Sequence, residues 1–159
     1  MPTVINYSFS QSFNVSAQVA YKWSTDFQSD DHALMGEGNA KRQVTWITEV
    51  TVLLKETLPE DAGMIEKEKL IQLYPDQLMW TSTHLTGPNR YSQFIYKIIS
   101  DDDNTSHLNF TALHLEHKEN LSPKNKALLT KELCKYDSDV WKRLAKAMKR
   151  EKVGTQGYF

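Results

Sequence analysis

Five histidines are the residues best suited to chemistry in this chain: His32, His84, His107, His114 and His117. His114-Leu115-Glu116-His117 has the look of a metal pair. On a strand, however, residues three apart point to opposite faces, so the two imidazoles cannot share an ion. His32, His84 and His107 show no ligand spacing among themselves, and the sequence implies no metal and no cofactor. A lone inward His84 or His114 could serve as a general base on an acidic proton, the step that an aldol cyclisation requires. The plainer reading of each is a hydrogen-bonded core or pocket histidine. Nucleophilic catalysis lacks its usual signs. No Gly-x-Ser-x-Gly elbow is present, and Cys134 lies within a helical pattern among Leu133, Lys135 and Tyr136, as an inert half-buried thiol would. Gly36-Glu37-Gly38-Asn39 lacks the Lys-Ser/Thr of a phosphate loop and reads as a flexible lip.

The elements that must position these side chains follow from periodicity. Ile5, Tyr7, Phe9, Phe13 and Val15 share one parity and polar residues hold the other, a strand with one wet face. Ser16 is placed as an N-cap before Val19, Ala20, Trp23 and Phe27 at helical spacing. Ser29-Asp30-Asp31 caps a second short helix over Ala33, Leu34 and Met35, stopped by Gly36 and Gly38. From Lys41 strands return. Val44, Trp46, Val50, Val52 and Leu54 share a parity over one long run. Strands over Ile65 to Tyr74, Gln77 to Leu85, Arg90 to Ser100 and Ser106 to His117 are separated by short turns, which imply an antiparallel meander.

The last element is the clearest. Ser122-Pro123 is an N-cap with proline at the first helical position. Leu129, Leu133, Tyr136, Val140, Leu144 and Met148 then mark one helix face, widened by Trp141 and Leu128. The helix is expected to reach about Lys152 and to end before Gly154, which sets one domain at 1–153 and a short tail at 154–159. A helix on the order of 45 Å long must be what the sheet packs on.

The chain has 159 residues, 40% apolar and 25% charged, with a net charge of −1, so it is an ordinary globular sequence and no evident nucleic-acid binder. The single Cys134 excludes an internal disulfide framework and suits the cytoplasm. The first residues show no secretion signal, so the Asn-x-Ser/Thr triplets at Asn6, Asn14, Asn104, Asn109 and Asn120 read as chance. No stretch approaches the roughly 18 apolar residues of a membrane span, so no stable membrane insertion is expected. Charge is asymmetric: residues 122–152 hold ten basic against four acidic side chains, or +6, leaving −7 on the rest. A basic helix face could approach an anionic surface; a solvated face with a dipole-matched C-terminus explains it as simply.

The order strand, two short helices, meander and long C-terminal helix resembles the START-like superfamily, also called SRPBCC, over nearly the whole chain. Phe13 to Phe27, as Phe-Asn-Val-Ser-Ala-Gln-Val-Ala-Tyr-Lys-Trp-Ser-Thr-Asp-Phe, is similar to that family's opening strand and first helix. Leu73-Tyr74-Pro75-Asp76-Gln77-Leu78-Met79-Trp80 is similar to its midway hairpin. The resemblance implies an α+β helix-grip fold: a curved antiparallel sheet of six or seven strands with the long helix across its concave face. It also implies a cavity between them for an apolar molecule such as a lipid, a polyketide or an isoprenoid, with the segment after the second short helix bordering the mouth.

If the concave face follows the apolar parity, Trp46, Val50, Val52, Trp80, His84, Phe94, Tyr96, Phe110 and His114 point into it. From the helix, Leu133, Tyr136, Val140 and Leu144 meet them. The same residues would also serve as plain core. Three activities remain open: a carrier, sensor or chaperone for a small apolar partner molecule; a cyclase- or aromatase-type or hydrolase-like enzyme with His84 or His114 as acid-base group; and a regulator of a chaperone ATPase, whose protein partner would dock on the basic helix face.

Overall fold

The computed structural model describes residues 1–27, 41–60, 63–118 and 121–156. Strand β1 (Thr3–Phe13) leads into helix α1 (Ala17–Ser24). Strands β2 (Lys41–Trp46), β3 (Thr51–Glu60) and β4 (Gly63–Tyr74) follow. After a single 3-10 turn (Pro75–Gln77) come β5 (Met79–His84), β6 (Gln93–Ser100), β7 (Ser106–Glu116) and finally helix α2 (Pro123–Gln156). The seven strands form one antiparallel sheet in the order β1-β7-β6-β5-β4-β3-β2. It is an α+β arrangement, with the curved sheet gripping the long helix.

Local chemistry explains the elements. β1 buries Ile5, Tyr7 and Phe13 while Asn6, Ser8, Ser10 and Ser12 face water, as its alternation requires. Ser16 caps α1 by accepting from the Val19 N–H at 3.3 Å. Ser122 does the same for α2, accepting from the Asn125 N–H at 3.1 Å. At the β6–β7 turn Asp102 Oδ1 accepts from the Asn104 and Thr105 N–H groups at 2.7 and 2.8 Å, the side-chain turn that Asp favours. Gly87 has φ +97°, and a Cβ there would stand 3.2 Å from the Lys67 side chain, so both conformation and space call for glycine.

Three expectations are corrected. The run from Lys41 to Leu54 is two strands, not one: it turns at 47–50, where Ile47 N–H donates to Thr51 O and Thr48 Oγ1 accepts from the Val50 N–H. No glycine or proline marks the turn; a threonine hydroxyl supplies its chemistry. The apolar parity survives because Trp46 pairs with Val52 across the hairpin, leaving both on one face. Gly154 does not stop α2, which continues to Gln156 and is 34 residues long, about 51 Å. Glycine lowers helix propensity by about 1 kcal/mol without breaking the helix. Tyr136 is 54% exposed, since it sits on the flank of the apolar stripe; Asp137 takes the inward place between Leu133 and Val140. The expected second short helix, His32 and the Gly36–Asn39 lip lie outside the described residues.

Helix α2 closes the concave face. Val140, Trp141, Leu144 and Met148 are buried against the sheet, and Trp141 packs on Phe13 with ring centroids 6.2 Å apart. At its middle the Tyr7 hydroxyl of β1 donates to the Asp137 carboxylate. Among the described residues no helix is long and apolar enough to cross a membrane.

Candidate functional site

Strand register decides what faces the helix. Trp80 on β5 lies opposite Tyr96 on β6, which lies opposite Phe110 on β7. On the other side Trp80 lies opposite Leu73 on β4, and Ser82 opposite Ile71. This row is aromatic at its centre: Trp80 and Tyr96 stack with centroids 4.8 Å apart and planes 3° from parallel. Trp141 of α2 comes within 6.2 Å of Trp80 and 5.9 Å of Tyr96.

Beside that stack a cavity of about 120 Å³ remains between α1, the sheet and α2. Trp23, Ser24 and Phe27 form one wall, and Trp80, Tyr96, Trp141 and Leu144 another. The third wall is polar. Arg42 on β2, Glu56 on β3 and Lys69 on β4 line it, with Leu54, Ile71 and Ser82 between or behind them. Glu56 Oε1 is 3.1 Å from Lys69 Nζ and 3.9 Å from Arg42 Nη2. The three side chains are 7% (Arg42), 3% (Glu56) and 20% (Lys69) exposed, so this is a largely buried ion triad.

Of the residues expected to meet a ligand, Trp80, Tyr96 and Leu144 line the cavity. Val52, Phe94, Phe110 and Val140 are buried in the surrounding core, with Val50 and Leu133 packed half-buried against it. Trp46 faces the same side but is 48% exposed, its ring 6.2 Å from that of Phe27. The exposed Tyr136 is not among the lining residues. His84 and His114 are buried on the concave face, away from the cavity wall. His84 packs on Phe94 at 4.9 Å, and His114 Nε2 stands 3.4 Å from Glu116 Oε2. His117 turns the other way, its Nε2 2.9 Å from Arg90 O. His107 pairs with Asp101 at 2.7 Å. Cys134 is half-buried, its Sγ 3.8 Å from Ser8 O.

The polar wall was missed in the sequence, although parity carried the signal. Glu56 continues the inward series Val52, Leu54; Lys69 shares its parity with Ile71 and Leu73; Arg42 shares its parity with Val44 and Trp46. A charge on the apolar parity of a strand marks a buried polar site.

Burial governs the titrations. It raises the Tyr7 and Tyr96 hydroxyls well above the ordinary tyrosine range, and Asp137 adds to both. Burial also raises Asp137, while the Tyr7 hydrogen bond and the Lys69 charge pull it back. His84 is pushed down to about 3, first by burial and then by the Lys69 ammonium, with Asn89 opposing. His84 is therefore a neutral imidazole at pH 7. An unfolded histidine takes up a proton near pH 6.5 and the folded one does so only near 3. Its contribution to stability is thus complete above pH 6.5 and is lost as pH falls toward 3, at up to about 1.4 kcal/mol per pH unit. In urea unfolding at pH 7.5 and 4.5, His84→Gln is expected to lose less stability than the wild type on acidification. Equal losses would show that His84 does not carry the acid limb.

No family model matches the sequence, and no curated protein matches it. Solved structures do. The Zhui aromatase/cyclase from Streptomyces sp. R1128 is similar at a TM-score of 0.76 and 9% identity, over 93% of this chain and 95% of that one. A START superfamily protein from Mycobacterium smegmatis gives 0.69 and 12%, over 92% and 98%. Ara h 8.0201 gives 0.67 and 11%, over 92% and 98%. Sequence identity is low throughout, while the likeness of fold extends over nearly whole chains: the protein has a START/SRPBCC-like fold.

Proposed function

We propose that this protein binds one small, largely apolar ring molecule in the cavity between sheet and α2, as a carrier, sensor or chaperone for it. The observation that carries the reading is the void beside the Trp80–Tyr96 stack, walled by Trp23, Phe27 and Trp141. Large aromatic side chains stand on two sides of it yet leave space, and such a concave apolar space with a few polar groups is the usual form of a ligand site. Volume limits the guest. An apolar cavity of about 150 Å³ holds benzene, so 120 Å³ fits about one ring. That favours a one-ring compound over the lipid, polyketide or isoprenoid that the family resemblance implied. Neither His84 nor His114 lines the cavity, which favours binding over acid-base catalysis by histidine.

Native mass spectrometry of gently purified protein, before and after organic extraction, tests the reading together with uptake of benzyl alcohol by the extracted protein. The expected result is uptake by the wild type that is lost in Leu144→Trp, whose indole would occupy the cavity. Wild-type protein that stays bare and takes up no more benzyl alcohol than Leu144→Trp would overturn it.

A further inference from the structure

The aromatic wall accounts for a ring but not for three hydroxyl groups that share the cavity with it. Ser24 ends α1, Ser82 lies on β5 and Tyr96 on β6, and all three line the space. Buried hydroxyls elsewhere in the core have partners. Thr25 Oγ1 donates to Tyr21 O at 2.8 Å, Ser106 Oγ donates to Val15 O at 2.9 Å, and the Tyr7 hydroxyl donates to Asp137. At the cavity this pattern stops. Ser24 Oγ is buried without a hydrogen-bond partner among the described residues. Among the same residues no partner meets the hydroxyl of Ser82, which is 4% exposed, or that of Tyr96. Ser82 lies opposite Phe94, two residues before Tyr96 on the same face, so the two hydroxyl side chains are diagonal neighbours. Burial first, and then Asp137, hold the proton on Tyr96, which also feels Glu56 and Arg42 on the cavity wall.

Each of these groups carries one O–H hydrogen that needs an acceptor, and burying it without one is unfavourable. The rings beside them offer none, and Glu56 Oε1 stands 3.1 Å from Lys69 Nζ. Resting on the reading that the cavity takes a one-ring guest, we infer that this guest is a small ring ketone, neutral and with its carbonyl on the ring. A carbonyl oxygen brings two lone pairs and no hydrogen of its own. It accepts from two of the three hydroxyls, and one of their oxygens can accept from the third. An alcohol would add a further hydrogen to be placed, and a hydrocarbon would leave all three unmet. In a water-poor site such differences are large enough to select the guest. Its ring lies against the Trp80–Tyr96 face, with the carbonyl on the Ser82 side.

Cyclohexanone and methylenecyclohexane share one shape and differ in whether C=O or C=CH2 leaves the ring. Titration of each, and of cyclohexanol, into the wild type, Tyr96→Phe and Ser82→Ala, followed by protein NMR, tests the assignment. Each variant removes one hydroxyl oxygen, and the ratio of two affinities within one protein cancels any general loosening of the core. The ratio of cyclohexanone to methylenecyclohexane affinity is expected to fall about fivefold or more in each variant. Cyclohexanol is expected to bind the wild type more weakly than cyclohexanone. A ratio that stays within about twofold of the wild type in both variants would overturn carbonyl recognition and leave the one-ring cavity standing. Cyclohexanol bound as tightly as cyclohexanone would overturn the ketone in favour of an alcohol. Binding of none of the three compounds would overturn the one-ring cavity as well.

Discussion

Replacing Glu56 alone by leucine is expected to destabilise the protein by about 3–5 kcal/mol, because it leaves Arg42 and Lys69 enclosed without their carboxylate. The residue is 2% exposed, so water cannot take its place at low cost. Urea unfolding monitored by tryptophan fluorescence gives the number. The informative companion is the triple change Arg42→Met, Glu56→Leu, Lys69→Met, which removes the ions together. Buried ion groups replaced as a set by apolar residues of similar size are often neutral or stabilising, so the triple variant is expected within about 1 kcal/mol of the wild type or above it. That pairing of results would mean that the triad is not kept for stability. A single variant as stable as the wild type, or a triple variant as weak as the single, would contradict the account.

Trp80→Ala is the second large effect, expected at about 3–5 kcal/mol in the same assay, the range for removing a buried tryptophan. Trp80 is 3% exposed and stands among Tyr21, Tyr96 and Trp141, with centroids 5.9, 4.8 and 6.2 Å away. Its loss also joins the freed volume to the existing cavity. The variant should therefore recover part of its stability in the presence of a two-ring probe such as 2-naphthol, and the wild type should gain much less. A cost below about 1 kcal/mol would show that neighbouring rings collapse into the gap and that the cavity is not rigidly walled.

The fold was legible because its signals are local. The alternation of Ile5, Tyr7 and Phe9, the Ser122-Pro123 cap and the stripe from Leu129 to Met148 are each written in consecutive residues. The site was less so, for two physical reasons. Histidines suggest chemistry by residue type alone, while the cavity wall is made by Arg42, Glu56 and Lys69, which look like surface charges until three strands are set in register. The second reason is packing. Whether Trp80 and Phe110, alike inward and alike aromatic, border a void or solid core depends on ring placement across the sheet, and the cavity borders only the first. Tyr136 shows the same limit on a helix: one position off the stripe's axis is enough to put a ring in water.

The sheet order has a consequence for how the chain is made. Strands β2 to β6 each pair with the next in sequence, but β1 pairs with β7, Ile5 opposite His114 and Phe13 opposite Ser106. At about 5–20 residues per second on the ribosome, the first strand to emerge waits on the order of ten seconds for its partner to be synthesised. During that interval Ile5, Tyr7, Phe9 and Phe13 form an apolar ribbon with neither a neighbouring strand nor α2 to cover it. Within this sheet the strand made first is among the last to be housed, and its apolar face stays uncovered until β7 and α2 are in place.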